Sequence, residues 1–161
     1  LDPIHMKAIL LAIDEISQKY KIKITETASR IAYSNMMTSE IQYGQNLGLD
    51  MTKEIHADIK ETSYIKYCYP KLIKNDISQL PAVPIDVDAG FRRGCTTFKQ
   101  MGAKDGYIGS PGLSTKDFGK LHLEEGAKLT ADLAIKLIAN EELPKINEQM
   151  LYILENFIKL D

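Results

Sequence analysis

A chain of 161 residues, with 44% apolar and 26% charged side chains, has the size and balance of a globular protein with a buried core. A net charge of -2 gives no electrostatic basis for binding nucleic acid or an anionic membrane, and Arg92-Arg93, the tightest basic pair, is too small for a phosphate-binding stripe. No apolar run is long enough to span a bilayer and no signal-peptide pattern opens the chain, so the expected location is cytoplasmic. Cys68 and Cys95 lack CxxC spacing, which argues against a zinc knuckle and leaves two reduced thiols.

The first residues, Leu1 to His5, read either as a cloning remnant ahead of Met6 or as a helix start opened by Pro3. Met6, Ile9, Leu10, Ile13 and Ile16 recur at helical spacing and predict an amphipathic helix to about Tyr20. Lys21 to Thr25 alternates polar and apolar residues and Arg30 to Tyr33 adds a short apolar run, so one strand is expected there. Thr38 to Ile41 precedes a short helix ending near Gly44 or Gly48, and a further helix runs from about Asp58 to Tyr69, stopped by Pro70. Pro81 and Pro84 mark an irregular stretch, and residues 91–113 read as a glycine-rich ordered loop or a set of short strands. Ser114 then caps a helix to about Asn140, and Pro144 opens a last helix with Ile146, Met150, Ile153, Leu154 and Phe157 on its apolar face. Helices alternating with short strands predict an α/β layer fold forming a single domain over residues 6–161.

The residues best suited to chemistry are His56 and Glu61. Imidazole and carboxylate are the groups that move protons or hold a metal near neutral pH. His56 falls just before a helix and Glu61 in its first turns, at a corner whose free amides favour developing negative charge. Glu61 could orient His56, act as acid or base, or reach a metal. Asp58 between them either takes a left-handed backbone conformation or caps the helix. The plainer reading is a solvated cap and a surface pair. His122, amid Lys120, Glu124 and Glu125, reads as a solvated helix residue. Asp86 and Asp88 lack the further oxygen ligands of a calcium site, and Gly106-Tyr-Ile-Gly109 lacks the context of a nucleotide-binding loop.

The segment His56-Ala-Asp-Ile-Lys-Glu61-Thr-Ser63 resembles the His-Ala-Gly-x-x-Glu-Thr-Ser segment of the creatininase-like amidohydrolases. Tyr69-Pro70-Lys-Leu72-Ile73, Gly106-Tyr-Ile-Gly109-Ser-Pro111 and Ser114-Thr115-Lys-Asp-Phe-Gly119 follow in the order of that family's later motifs. The resemblance covers the chain from the Met6 helix to about Ile138 and implies an α/β fold with a mainly parallel sheet flanked by helices. It implies hydrolysis of a C–N bond in a small cyclic amide or formamide, with zinc, iron or manganese as the metal. His56 would contact substrate or the reacting water, and Glu61 would assist proton transfer or support the metal. Asp58, Gly106, Gly109 and Ser110 would meet the substrate.

Two positions depart from the family pattern: Asp58 stands for its glycine and Ser110 for its aspartate. The family's Glu-x-His and Asn-Gly-His segments, which carry most metal ligands, are not found, so the metal is not expected to be bound by this chain alone. The chain has no tryptophan, which speaks against creatinine as substrate. The expectation is therefore the C-terminal portion of such a hydrolase, acting as a homo-oligomer or with a second chain that carries the metal half. A non-catalytic assembly subunit and a small-molecule binding module are the alternatives.

Overall fold

Helix α1 (Pro3–Tyr20) is the amphipathic helix that the Met6 to Ile16 spacing predicts. The computed structural model describes residues 3–34, 37–74 and 76–146, in two compact units: Leu1–Met36 with Gly126–Asp161, and Met37–Glu125. In the first unit Met6 is 1% exposed and packs against Leu10 and Ile146. Helix α2 (Ala28–Ser34) follows, its start held by Glu26, whose carboxylate accepts the Ser29 amide at 2.9 Å. Arg30 donates to the carbonyls of Glu26 and Pro144. Of the helix expected from Pro144 to Phe157, only its first three residues lie among those described.

The expected α/β fold with a mainly parallel sheet is not what the chain forms. The described residues are mostly helical and contain no sheet, only two isolated antiparallel bridges, His56 with Ile108 and Val83 with Gly109. The alternating run after Lys21 has no regular structure, and Ile22 and Ile24 are exposed. The apolar run Arg30 to Tyr33 lies inside α2. Alternation makes a strand only where a neighbour completes its hydrogen-bond ladder, and no neighbouring strand is present among the described residues.

The second unit holds α3 (Thr38–Leu47), α4 (Ile59–Cys68), α5 (Val87–Arg92), α6 (Phe98–Met101) and the start of α7 (Lys116–Ile138). Gly48 closes α3 in the left-handed conformation, which glycine adopts without a Cβ clash. The glycine-rich stretch is broken by α6, which a reciprocal Thr97–Gln100 capping box begins. Ile59, Met101, Tyr107, Ile108 and Phe118 are buried at its centre.

Helices α4 and α7 meet at very short range. A Cβ on Gly119 would stand 2.0 Å from the Ser63 carbonyl oxygen. The Ser63 hydroxyl accepts the Thr115 amide at 3.0 Å and donates to the Ile59 carbonyl at 2.5 Å. The cap of α7 is Thr115, whose hydroxyl accepts the Phe118 amide at 3.1 Å. Ser114, the expected cap, instead donates to the Pro111 carbonyl at 2.6 Å.

Candidate functional site

The corner before α4 is built by three carboxylates, each with a different task. Asp58 is extended (φ -86°) and caps the helix: its Oδ1 accepts the Lys60 and Glu61 amides at 2.8 and 2.9 Å. The left-handed residue is its neighbour Ala57, at φ 45°. That conformation disfavours any side chain, and here the Glu61 carboxylate pins it by accepting the Ala57 amide at 2.6 Å. Glu54 reaches over the corner. Its Oε2 accepts the Ile59 amide at 3.1 Å and the Ser110 amide at 2.8 Å. The first amides of α4 are thus already used by Asp58 and Glu54, so they do not stand free to receive a substrate oxyanion.

His56 is positioned through its backbone, which exchanges hydrogen bonds with Ile108 at 3.1 and 2.8 Å. Its side chain is 51% exposed, and Nδ1 lies 4.0 Å from Oε2 of Glu61, itself 57% exposed. This is too long for a hydrogen bond and is an ion pair only when the ring is protonated. The Phe98 ring flanks the imidazole with centroids 5.4 Å apart. The result is an imidazole open to a solute on one side, screened by an aromatic ring on another, and beside a carboxylate held by the backbone. Such a pair can donate or accept a proton.

The other predicted residues divide. Gly109 and Ser110 lie at the corner with Glu54. A Cβ on Gly109 would come within 2.4 Å of Glu54 Oε2 and 2.9 Å of Asp58 Cβ, and its φ is 130°. Asp58 is 1% exposed, beneath the surface. Its Oδ2 lies 3.2 Å from Lys60 Nζ, an ion pair without a hydrogen bond, and that ammonium donates to the Glu54 carbonyl at 2.9 Å. Gly106 is an exposed turn residue (φ 82°) with open space where a Cβ would go.

Two groups were missed by reading the sequence. Glu54 sits two residues before His56, outside the segment that drew attention. His122, read as solvated, is 2% exposed. Its Nε2 is 2.6 Å from Glu40 Oε1 and its Nδ1 is 2.8 Å from the Tyr64 hydroxyl, tying α7 to α3 and α4. The rings of Phe118 and Tyr64 meet it edge-on at 5.4 and 5.2 Å. Burial, with the charges of Glu40, Asp58 and Glu61, pushes the Tyr64 phenol up to about 12. Lys120 and Glu124 misled because residues two apart project from different sides of a helix. The usable signal was Phe118 and His122 at i and i+4.

A metal centre of the expected kind does not fit these residues by themselves. His56 and Glu61 offer two donors, and no group of three His, Cys, Asp or Glu side chains able to hold a metal occurs among the described residues. Nor is any helix among them long and apolar enough to cross a membrane. In comparisons with known proteins, no family model, no curated protein and no solved structure matches the chain.

Proposed function

We propose that this chain supplies the acid–base corner of a creatininase-like hydrolase that cleaves a C–N bond in a small cyclic amide or formamide. The observation that carries the reading is the half-exposed His56 imidazole, 4.0 Å from a Glu61 carboxylate that the Ala57 amide locks in place. Cleaving an amide requires a proton for the departing nitrogen, and an imidazolium beside a carboxylate is suited to give it. His56 is the proton donor and Glu61 holds its charge. Glu54, Gly109 and Ser110 keep the corner rigid. The metal ligands of such an enzyme come from sequence outside these 161 residues, and no step assigned here passes through a metal.

The test is turnover of small lactams and N-formyl amines by the complete metal-loaded assembly, with His56→Ala beside it. Loss of at least about 100-fold is expected, the range for a missing acid–base group. Undiminished turnover by the variant removes His56 from the mechanism, and an assembly inert on all such substrates removes the reaction.

A second reading, a non-catalytic assembly subunit, is favoured by large apolar side chains that stand in solvent. In the second unit Leu72 is 71% and Leu121 52% exposed; in the first, Ile138 is 82% exposed. Exposed apolar surface marks contact sites when it is contiguous. Sedimentation at micromolar concentration tests it: self-association, or a complex with a second chain, supports it, and a monomer under both conditions removes it.

A further inference from the structure

Beside the His56 corner lies a cavity of about 190 Å³ within the second unit, lined by Leu49, Lys53, Glu54, Ala82, Pro84 and Ser110 among others. Glu54 is its one buried charge, 5% exposed. Both of the carboxylate's hydrogen bonds arrive at Oε2, from the Ile59 and Ser110 amides. Oε1 takes none, yet among the described residues the buried polar atoms lacking a partner are only Ser17 Oγ and Asp58 Oδ2. Oε1 is therefore reachable from outside.

Among the described residues, no cation is paired with the Glu54 carboxylate. The nearest candidate, Lys60, commits its ammonium to the Glu54 backbone carbonyl and to Asp58 Oδ2. Lys53 forms no ion pair with it, and its charge acts on Asp50 and Asp86, whose carboxyls it helps hold low after their own hydrogen bonds to Thr52 and Ala89. Two backbone amides satisfy Oε2 alone, and a buried carboxylate ordinarily also has a cation or a metal as partner. Leu49, Ala82 and Pro84 give the lining an apolar side, and the exposed Asp50 carboxylate stands in the lining together with Lys53. At roughly 30 Å³ per water, the space holds about six waters or a ligand of similar bulk.

We propose that this cavity binds a small organic cation whose N–H groups meet Glu54 Oε1 and whose short apolar body rests on Leu49, Ala82 and Pro84. The proposal does not depend on the hydrolase reading, because it invokes neither His56 nor Glu61 as a contact.

The test is an amide chemical-shift titration of the full chain with four probes: methylguanidinium, ethylammonium, tetramethylammonium and neutral methylurea. The Ile59 and Ser110 amides, which already touch Glu54, are the reporters. Saturable shifts with the first two, at least tenfold weaker response to methylurea and to tetramethylammonium, and at least tenfold weaker binding in Glu54→Gln are expected. Equal response to methylurea, or no saturation with either N–H cation, overturns the proposal. Should Glu54→Gln not fold, Ala82→Lys places a competing ammonium in the lining from an exposed position; it must weaken binding of both N–H cations, and unchanged affinity overturns the proposal.

Discussion

His56 and His122 each face a carboxylate, from opposite environments. At His56 the partners are 4.0 Å apart and both more than half exposed; at His122 the nitrogen and oxygen are 2.6 Å apart, with the imidazole 3% exposed. Water screens the first pair, so its attraction adds at most about 1 kcal/mol to stability. The second is shielded and has both ring nitrogens engaged, so its groups are costly to leave alone. The accessible histidine is open to solvent and contributes little to the fold, whereas the inaccessible one binds three helices together and has no open nitrogen. Accessibility and stability are thus divided between two residues of one type.

The contrast can be broken at its base by Gly119→Ala. Alanine favours a helix over glycine by about 1 kcal/mol, but here its Cβ would meet the Ser63 backbone. A net loss of about 3 kcal/mol is expected from forcing α4 and α7 apart, read as a lower denaturation midpoint. A neutral or stabilising result would falsify the close approach that places both histidines.

His122→Ala should cost about 3 kcal/mol, the lower range for stripping a partner from a buried pair. A loss below about 1 kcal/mol in urea unfolding would mean that the Glu40–His122–Tyr64 chain is not formed in solution. The Tyr64 phenol sharpens the same side. Its proton is held more tightly in the folded state, up to about 12, than in the unfolded chain at the ordinary 10. The stability this provides is therefore intact below pH 10 and lost as pH rises through 12. The Tyr64 tyrosinate should appear only near pH 12 in an ultraviolet titration, and Tyr64→Phe should abolish that step; its appearance at the ordinary 10 contradicts the burial.

The smallest expected effect is at the other histidine. His56→Ala should leave stability within about 0.5 kcal/mol, as surface changes usually do, while removing the proposed turnover. A loss comparable with that at His122 would show that His56 is a structural residue too.

Much of the helical skeleton was legible in the sequence. The Met6 to Ile16 spacing, Pro70 as a stop and Gly48 as a C-terminal cap are local signals, and α1, α3 and α4 follow them closely. That the expected strand does not form was not legible, because alternation at residues 21–25 records only a preference, and a partner must be present to complete it. At the site, His56 and Glu61 stood out by type and spacing. Glu54 did not, since its value lies in contacts with Ile59 and with Ser110, 56 positions away.

For α1, α3 and α4 the sequence by itself determined where the helix starts and stops, because capping, proline and glycine act within a few residues of their own position. Burial was decided by tertiary structure alone. Whether a histidine meets water or a carboxylate depends on helices brought from distant parts of the chain: Glu40 and Tyr64 reach His122 from 82 and 58 residues away. No local pattern carries that distance, and it is this long-range packing that sealed one imidazole and left the other open.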